Sequence, residues 1–310
     1  MLQITADVFS GRPNPTWIVD DEQEARATLK ELSRERGLMQ EAAPTNGDLG
    51  LRGLFVDVIS DDVAADIEVP SSLYLPLAGQ AGRAQELAER LIAHLDGAKA
   101  AVAAVDGAPA LEEGLRDFLT QQLRAPIASR LSVEDAPVTQ EPAGIAAEGV
   151  ATAALAVTCT IDLAAYNPGF WNNDATVRRT NNCYNYAANK RTNTFAQPGR
   201  GCGRIYTAIT CPEVTRGALC DGLHRRYNCF PDSEKPRYLV ALVVAPGPGF
   251  IDFHWYRKMK EGFWGHKPGS TAVRNVDNSG HVITNPETCN RGPYTRFCGY
   301  FYTCRSTRIR

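Results

Sequence analysis

All nine cysteines of this 310-residue chain lie in its second half, at positions 159, 183, 202, 211, 220, 229, 289, 298 and 304. A region that dense in thiols is organised by disulfides, a metal or a reactive sulfur, and the region before it has no such means. Charge divides at nearly the same place. Residues 1–150 carry 12 Lys/Arg against 25 Asp/Glu, net −13, and the remainder carries 21 against 10, net +11. Opposite signs predict that the two parts attract each other, or that the second receives an anionic partner. The chain reads as two objects joined together.

In the first part, residues 2–10 alternate in part between apolar and polar and end at Gly11-Arg12-Pro13-Asn14-Pro15, a strand followed by a tight loop. The acidic run from Asp20 opens a helix through about Arg36, its charges complementing the helix dipole. Strands are expected over Gly50–Ser60 and Ile67–Leu77, the second interrupted at Pro70. An amphipathic helix is expected over Gln80–Leu95, with Leu87, Leu91, His94 and Leu95 near one face. A further helix is expected over Leu111–Leu123, and Val133–Val150 has a linker's composition. In the second part the strongest strand is Tyr238–Ala245.

Thr180-Asn181-Asn182-Cys183-Tyr184-Asn185-Tyr186-Ala187 has the features of a helix start, since Thr and Asn are good N-caps. Cys183 then falls in the first turn, where the helix dipole favours a thiolate and backbone N–H groups offer an oxyanion site. The competing reading is one half of a disulfide. Nine cysteines allow four bridges and one leftover thiol.

Ile251–Arg257 alternates so that Asp252, His254 and Tyr256 share one face of a strand and Phe253 and Trp255 the other. Phe263–Lys267 reads as its hairpin partner. A loop centred on Lys260 places His254 opposite His266; one centred on Glu261 makes them diagonal neighbours. Either leaves one imidazole free to act as a general base while the other, or a nearby polar group, fixes its tautomer. Cys183 with the two histidines is also a chemically suitable zinc set, although no Cys-x-x-Cys or His-x-x-x-His pair accompanies it.

This arrangement resembles the papain-like cysteine peptidase superfamily. Asn182-Cys183-Tyr184-Asn185-Tyr186-Ala187 is similar to the helix start of CHAP domains, and the step from His254 to His266 resembles the Cys-His-His order of NlpC/P60 enzymes. The chain differs from the latter in having no Asp-Cys-Ser-Gly, and its base lies in His-Trp-Tyr-Arg. Asn181–Ala187, Thr192–Gly199, and His254–Arg257 through His266–Gly269 also resemble a family labelled insoluble shell-matrix protein, found in bacteria and animals. The peptidase resemblance implies Cys183 as nucleophile, His254 as base and His266 as its orienter. It also implies a cleft lined by Asn182, Tyr184, Trp255, Tyr256, Arg257 and Trp264, with a peptide or peptidoglycan-like substrate.

Disulfides are expected for Cys202, Cys211, Cys220, Cys229, Cys289, Cys298 and Cys304, a density that suits an oxidising compartment. Cys220-Asp221-Gly222-Leu223-His224 through Cys229 is a weaker metal candidate. Val276-Asp277-Asn278-Ser279-Gly280 reads as a β-turn, with a third catalytic member or a calcium loop as the alternatives. Arg178, Arg179, Lys190, Arg191, Arg225, Arg226, Arg257, Lys258 and Lys267 surround the site in sequence. They are suited to substrate carboxylates or to holding the acidic N-terminal part over the cleft as a cover.

No apolar run approaches the roughly eighteen residues of a membrane span, and the N-terminus does not read as a signal peptide. Export by another route is therefore expected, with the cytoplasm as the alternative. No nucleic-acid module accompanies the basic charge. The expected fold is α+β: a small acidic α+β domain over 1–97, a helical and linker segment over 98–155, and a basic, cysteine-rich papain-like domain over 156–310 with an antiparallel sheet. The expected activity is cysteine-dependent amide-bond hydrolysis through a thioester, without cofactor or metal. The alternatives are acyl transfer of the transglutaminase kind, or a non-catalytic, disulfide-rich matrix or binding protein.

Overall fold

The computed structural model describes residues 1–41, 43, 47–59, 69–77, 82–95, 101–102, 114–124, 161–225 and 232–310. The expected linker at 133–150, the beginning of the strand expected at 67–77, Arg226, Cys159 and Cys229 lie outside these.

The N-terminal part contains β1 (Leu2–Asp7), β2 (Pro15–Val19), α1 (Glu22–Arg34), β3 (Gly53–Val58), β4 (Ser72–Pro76), α2 (Arg83–Ala93), β5 (Ala101–Val102) and α3 (Leu115–Arg124). The strands form one antiparallel sheet in the order β4-β3-β1-β2-β5. β1 alternates because one face is buried, which pins its register: Ile4 faces Trp17 on β2 and Val56 on β3. α1 starts where expected, with the Asp21 carboxylate capping the N–H groups of Gln23 and Glu24. α2 buries Leu87 and Leu91, and α3 buries Leu115, Leu119 and Leu123. β2 escaped the sequence reading, because Pro13 and Pro15 read as a loop and the strand that starts at Pro15 has only five residues.

The C-terminal part contains α4 (Gly169–Asn172), α5 (Ala175–Thr180), α6 (Cys183–Ala188), α7 (Cys211–Cys220), β6 (Leu239–Pro246), β7 (Ile251–Lys258), β8 (Trp264–His266) and β9 (Arg296–Tyr302). Its sheet is antiparallel in the order β8-β7-β6-β9. The fold is thus α+β, with the expected antiparallel sheet and disulfides in the C-terminal part; the N-terminal sheet is antiparallel as well. β9 was not foreseen. Its outer face is half-exposed and its aromatics give no clean alternation.

The two parts share an apolar core. Ala241, Val243, Ala245, Tyr256 and Trp264, on one face of the C-terminal sheet, join the cluster that holds Leu2, Ile4, Trp17, Leu29, Leu87 and Leu119. Phe250 touches the rings of Phe9, Phe118 and Tyr294 at centroid distances of 5.6, 5.0 and 5.4 Å. The opposite face, with Val240, Leu242, Val244, Phe253 and Trp255, packs on α6 and α7 in a second cluster. The C-terminal sheet is sandwiched between the N-terminal part and its own helices. Among the described residues no helix is long and apolar enough to cross a membrane.

Among the described residues two disulfides are present, Cys202–Cys220 and Cys211–Cys298, the second tying α7 to β9. The expectation that Cys289 and Cys304 each take part in a disulfide is corrected: both are free. Cys298 is already bonded to Cys211, and the two thiols meet carbonyl oxygens instead, Pro286 and Gly222 respectively.

Candidate functional site

Asn182 caps α6 through its side-chain oxygen, which accepts from the N–H groups of Tyr184 and Asn185, both at 3.1 Å. The Asn185 side chain closes the box by accepting from the Asn182 N–H at 3.0 Å. Cys183 is therefore in the first turn, as the sequence implies, and its thiol is free. Its Sγ lies 3.8 Å from the Phe253 carbonyl oxygen and receives the Trp255 backbone N–H. These two groups flank His254 on β7. The β7–β8 ladder reaches only back to Tyr256, so this stretch of strand is left to α6.

Cys183 is completely buried. Burial pushes its thiol well above the ordinary value, and the nearby Asp252 carboxylate adds to the rise. Hydrogen bonds from the Trp255 and Tyr184 N–H groups and the Lys267 charge oppose it without prevailing. In this conformation the group is a thiol, because a helix of six residues cannot offset full desolvation.

The histidine pair is in direct contact. Tyr256 pairs with His266, which makes His254 and His266 diagonal neighbours, and His254 Nε2 lies 2.9 Å from His266 Nδ1. His266 Nε2 is 2.9 Å from the Val276 carbonyl oxygen. Burial lowers both imidazoles, His266 to about 3 and His254 well below its ordinary value, so both are neutral near pH 7. The tautomers then follow. A carbonyl only accepts, so His266 carries its proton on Nε2 and accepts at Nδ1; His254 must donate from Nε2. That leaves the lone pair of His254 on Nδ1, a buried atom with no hydrogen-bond partner. The ring of Tyr256 stacks on His266 and meets His254 edge-on, holding both in place.

The N-terminal part closes this region. The Asp252 carboxylate, on the same strand face as His254, accepts from the backbone N–H groups of Ser10 (2.5 Å), Gly11 (3.1 Å) and Arg12 (2.9 Å) and from the Tyr294 hydroxyl (2.5 Å). Arg12 Nη1 donates to the Ile251 carbonyl at 2.6 Å. The Gly11 carbonyl accepts from Asn182 Nδ2 at 2.8 Å and Gln197 Nε2 at 2.7 Å. Lys267, wholly buried, donates to the carbonyls of Arg178, Asn181 and Gly269, and burial drives its pKa well down.

A curated protein named insoluble matrix shell protein 1, from Ruditapes philippinarum, is 47% identical to this chain over 135 residues. The match spans 86% of that protein and 44% of this chain. The chain belongs to the insoluble matrix shell protein family. No protein-family model and no solved structure matches it.

The remaining side chains expected to line a cleft in this shell-matrix relative are all buried. Tyr184 donates to Asp221 at 3.0 Å and packs on Trp255, with ring centroids 5.4 Å apart. Arg257 donates to the Tyr186 carbonyl at 2.7 Å and lies over the Tyr186 ring. Trp264 packs near Tyr300. Asp221 is held by the Gly199 and Cys202 N–H groups and Cys220 is bonded to Cys202, so neither is left for a metal, and Cys229 lies outside the described residues. Asp277 accepts from the N–H groups of Ser279, His281 and Asn290, the turn foreseen from sequence. Asn278 reaches across to Leu49, accepting from its N–H and donating to its carbonyl, both at 2.9 Å. Among the described residues, no group of three or more His, Cys, Asp and Glu side chains is placed to hold a metal ion. Sequence reasoning missed Asp252, Gln197 and the Ser10–Arg12 loop as parts of this region. Only the alternation of β7, which puts Asp252 beside His254, signalled any of them.

Proposed function

We propose that this protein is a cysteine-dependent amide hydrolase held in a closed form, built on a papain-like C-terminal half. One observation carries the reading: the histidine relay leaves an unprotonated, unpartnered Nδ1 on His254, the residue whose two neighbours on β7 contact the Cys183 sulfur through their backbone groups. In the opened site His254 Nδ1 takes the thiol proton and Sγ attacks the substrate carbonyl carbon. The C–N bond breaks, the amine leaves with the proton that His254 returns, and water hydrolyses the thioester to a carboxylic acid and free thiol. A peptide or peptidoglycan stem is the substrate class, and the family name and two disulfides support secretion.

The test is release of free amino groups from peptides and from purified peptidoglycan by the full chain, beside Cys183→Ser. Release that needs Cys183 supports the reading; no release from unmodified protein, in a preparation where a parallel aliquot shows that small reagents reach Cys183, overturns it. A second reading, a non-catalytic matrix protein, is favoured by the name of the shell-protein relative and the complete burial of all three candidate catalytic residues.

A further inference from the structure

Gly11 belongs to the N-terminal part, yet its carbonyl is held by two side-chain amides of the C-terminal part, Asn182 Nδ2 and Gln197 Nε2. Both donors are fixed in advance. The Asn182 oxygen is committed to two helix N–H groups, and the Gln197 oxygen accepts from the Tyr206 hydroxyl at 2.6 Å, so neither amide can turn over. Two oriented, buried donors converging on one oxygen beside a thiol are what a carbonyl-recognition site requires. The loop's other edge is gripped as well, since the Ser10, Gly11 and Arg12 N–H groups all end on Asp252.

Space at the loop is restricted to glycine. A Cβ on Gly11 would collide with the Phe253 carbonyl oxygen and come within 2.6 Å of the Phe253 ring Cδ2. Gly11 is not in the left-handed region, so the demand is for room and not for conformation. The Phe253 carbonyl that sets this limit is also the hydrogen-bond partner of Cys183 Sγ.

We propose that Ser10-Gly11-Arg12 occupies the acyl-recognition subsite of this site as an internal peptide, that Asn182 and Gln197 are its carbonyl-binding pair, and that the subsite selects glycine. The assignment of an acyl site rests on the hydrolase reading; the occupancy and the glycine selectivity are read without turnover. An external ligand is then a peptide with glycine at the position whose carbonyl enters the pair, admitted once the loop leaves.

The experiment uses the full chain, its Gly11→Ala variant and, as a second route to loop release, Arg12→Ala, with folding checked by circular dichroism. Cys183 alkylation by iodoacetamide is followed by peptide mapping. A clash or lost anchor worth the usual cost of overpacking raises the labelling rate about tenfold or more over wild type. Acetyl-Ser-Gly-Arg amide then slows labelling of the variants, and acetyl-Ser-Ala-Arg amide does not. Folded variants labelled no faster than wild type, or equal protection by both peptides, overturn the proposal. Release of p-nitroaniline from acetyl-Ser-Gly p-nitroanilide is scored separately. Protection without release removes the hydrolase reading and leaves a glycine-peptide binding site; equal release from the alanine analogue removes the selectivity and keeps the hydrolase.

Discussion

The Ser10 backbone N–H lies 2.5 Å from the Asp252 carboxylate, 242 residues further along the chain. Asp252 is fully buried, and burial raises its carboxyl above the ordinary value against the pull of the Tyr294 hydroxyl and the loop N–H groups. Removing the carboxylate strands three backbone donors and a hydroxyl in a dry interface. Asp252→Ala is expected to cost about 3–5 kcal/mol, read as a lower urea midpoint, with Asp252→Asn milder because one acceptor remains. A change under about 1 kcal/mol would mean that the loop is held by something else.

The closed form makes a prediction about wild-type reactivity. With Cys183 buried and its thiol raised, native labelling at neutral pH is expected to be on the order of a hundredfold slower than in urea. Quantitative alkylation of each peptide before and after denaturation measures this. Equal rates would show an accessible sulfur.

The histidine pair predicts how stability responds to acid. Both imidazoles have folded values below the ordinary 6.5, so the unfolded chain binds more protons, and their contribution is complete above 6.5 and is lost as pH falls toward about 3. Asp221, raised to about 6, acts in the opposite direction over part of that range. Comparison with His266→Gln isolates the histidine contribution. The variant's destabilisation is expected to shrink by about 2 kcal/mol between pH 7 and 5, measured by urea unfolding at each pH. A constant difference would count against the buried neutral pair.

Cys211–Cys298 closes a separation of 87 residues between α7 and β9. Replacing both cysteines by serine is expected to destabilise by about 2–5 kcal/mol and leave the thiol of Cys183 as slow as before. Differential scanning calorimetry with parallel peptide mapping checks both parts. Faster labelling of Cys183 would mean that this clamp also guards the site.

Much of the site could be read from local pattern. The Asn182 cap put Cys183 at a helix start, and the alternation of Ile251–Arg257 put His254 on a strand face with Asp252. The hairpin register was left between two choices, since one residue of loop length shifts the pairing, and the structure selects the diagonal one. The free states of Cys289 and Cys304 were not legible, because spacing carries no information on which sulfurs come within bonding distance.

The sequence by itself determined β1, α1, β3, β4, α2 and α3 and, around the site, the start of α6 and the strands β6, β7 and β8, because hydrophobic period and capping chemistry act within a few residues. Only the tertiary structure decided that Ser10–Arg12 lies on Asp252 and beneath the amides of Asn182 and Gln197. Those bonds join segments separated by 171 to 242 residues, and every one uses a backbone group. A backbone N–H or carbonyl is the same in any residue but proline, so no choice of side chain in the loop announces its partner.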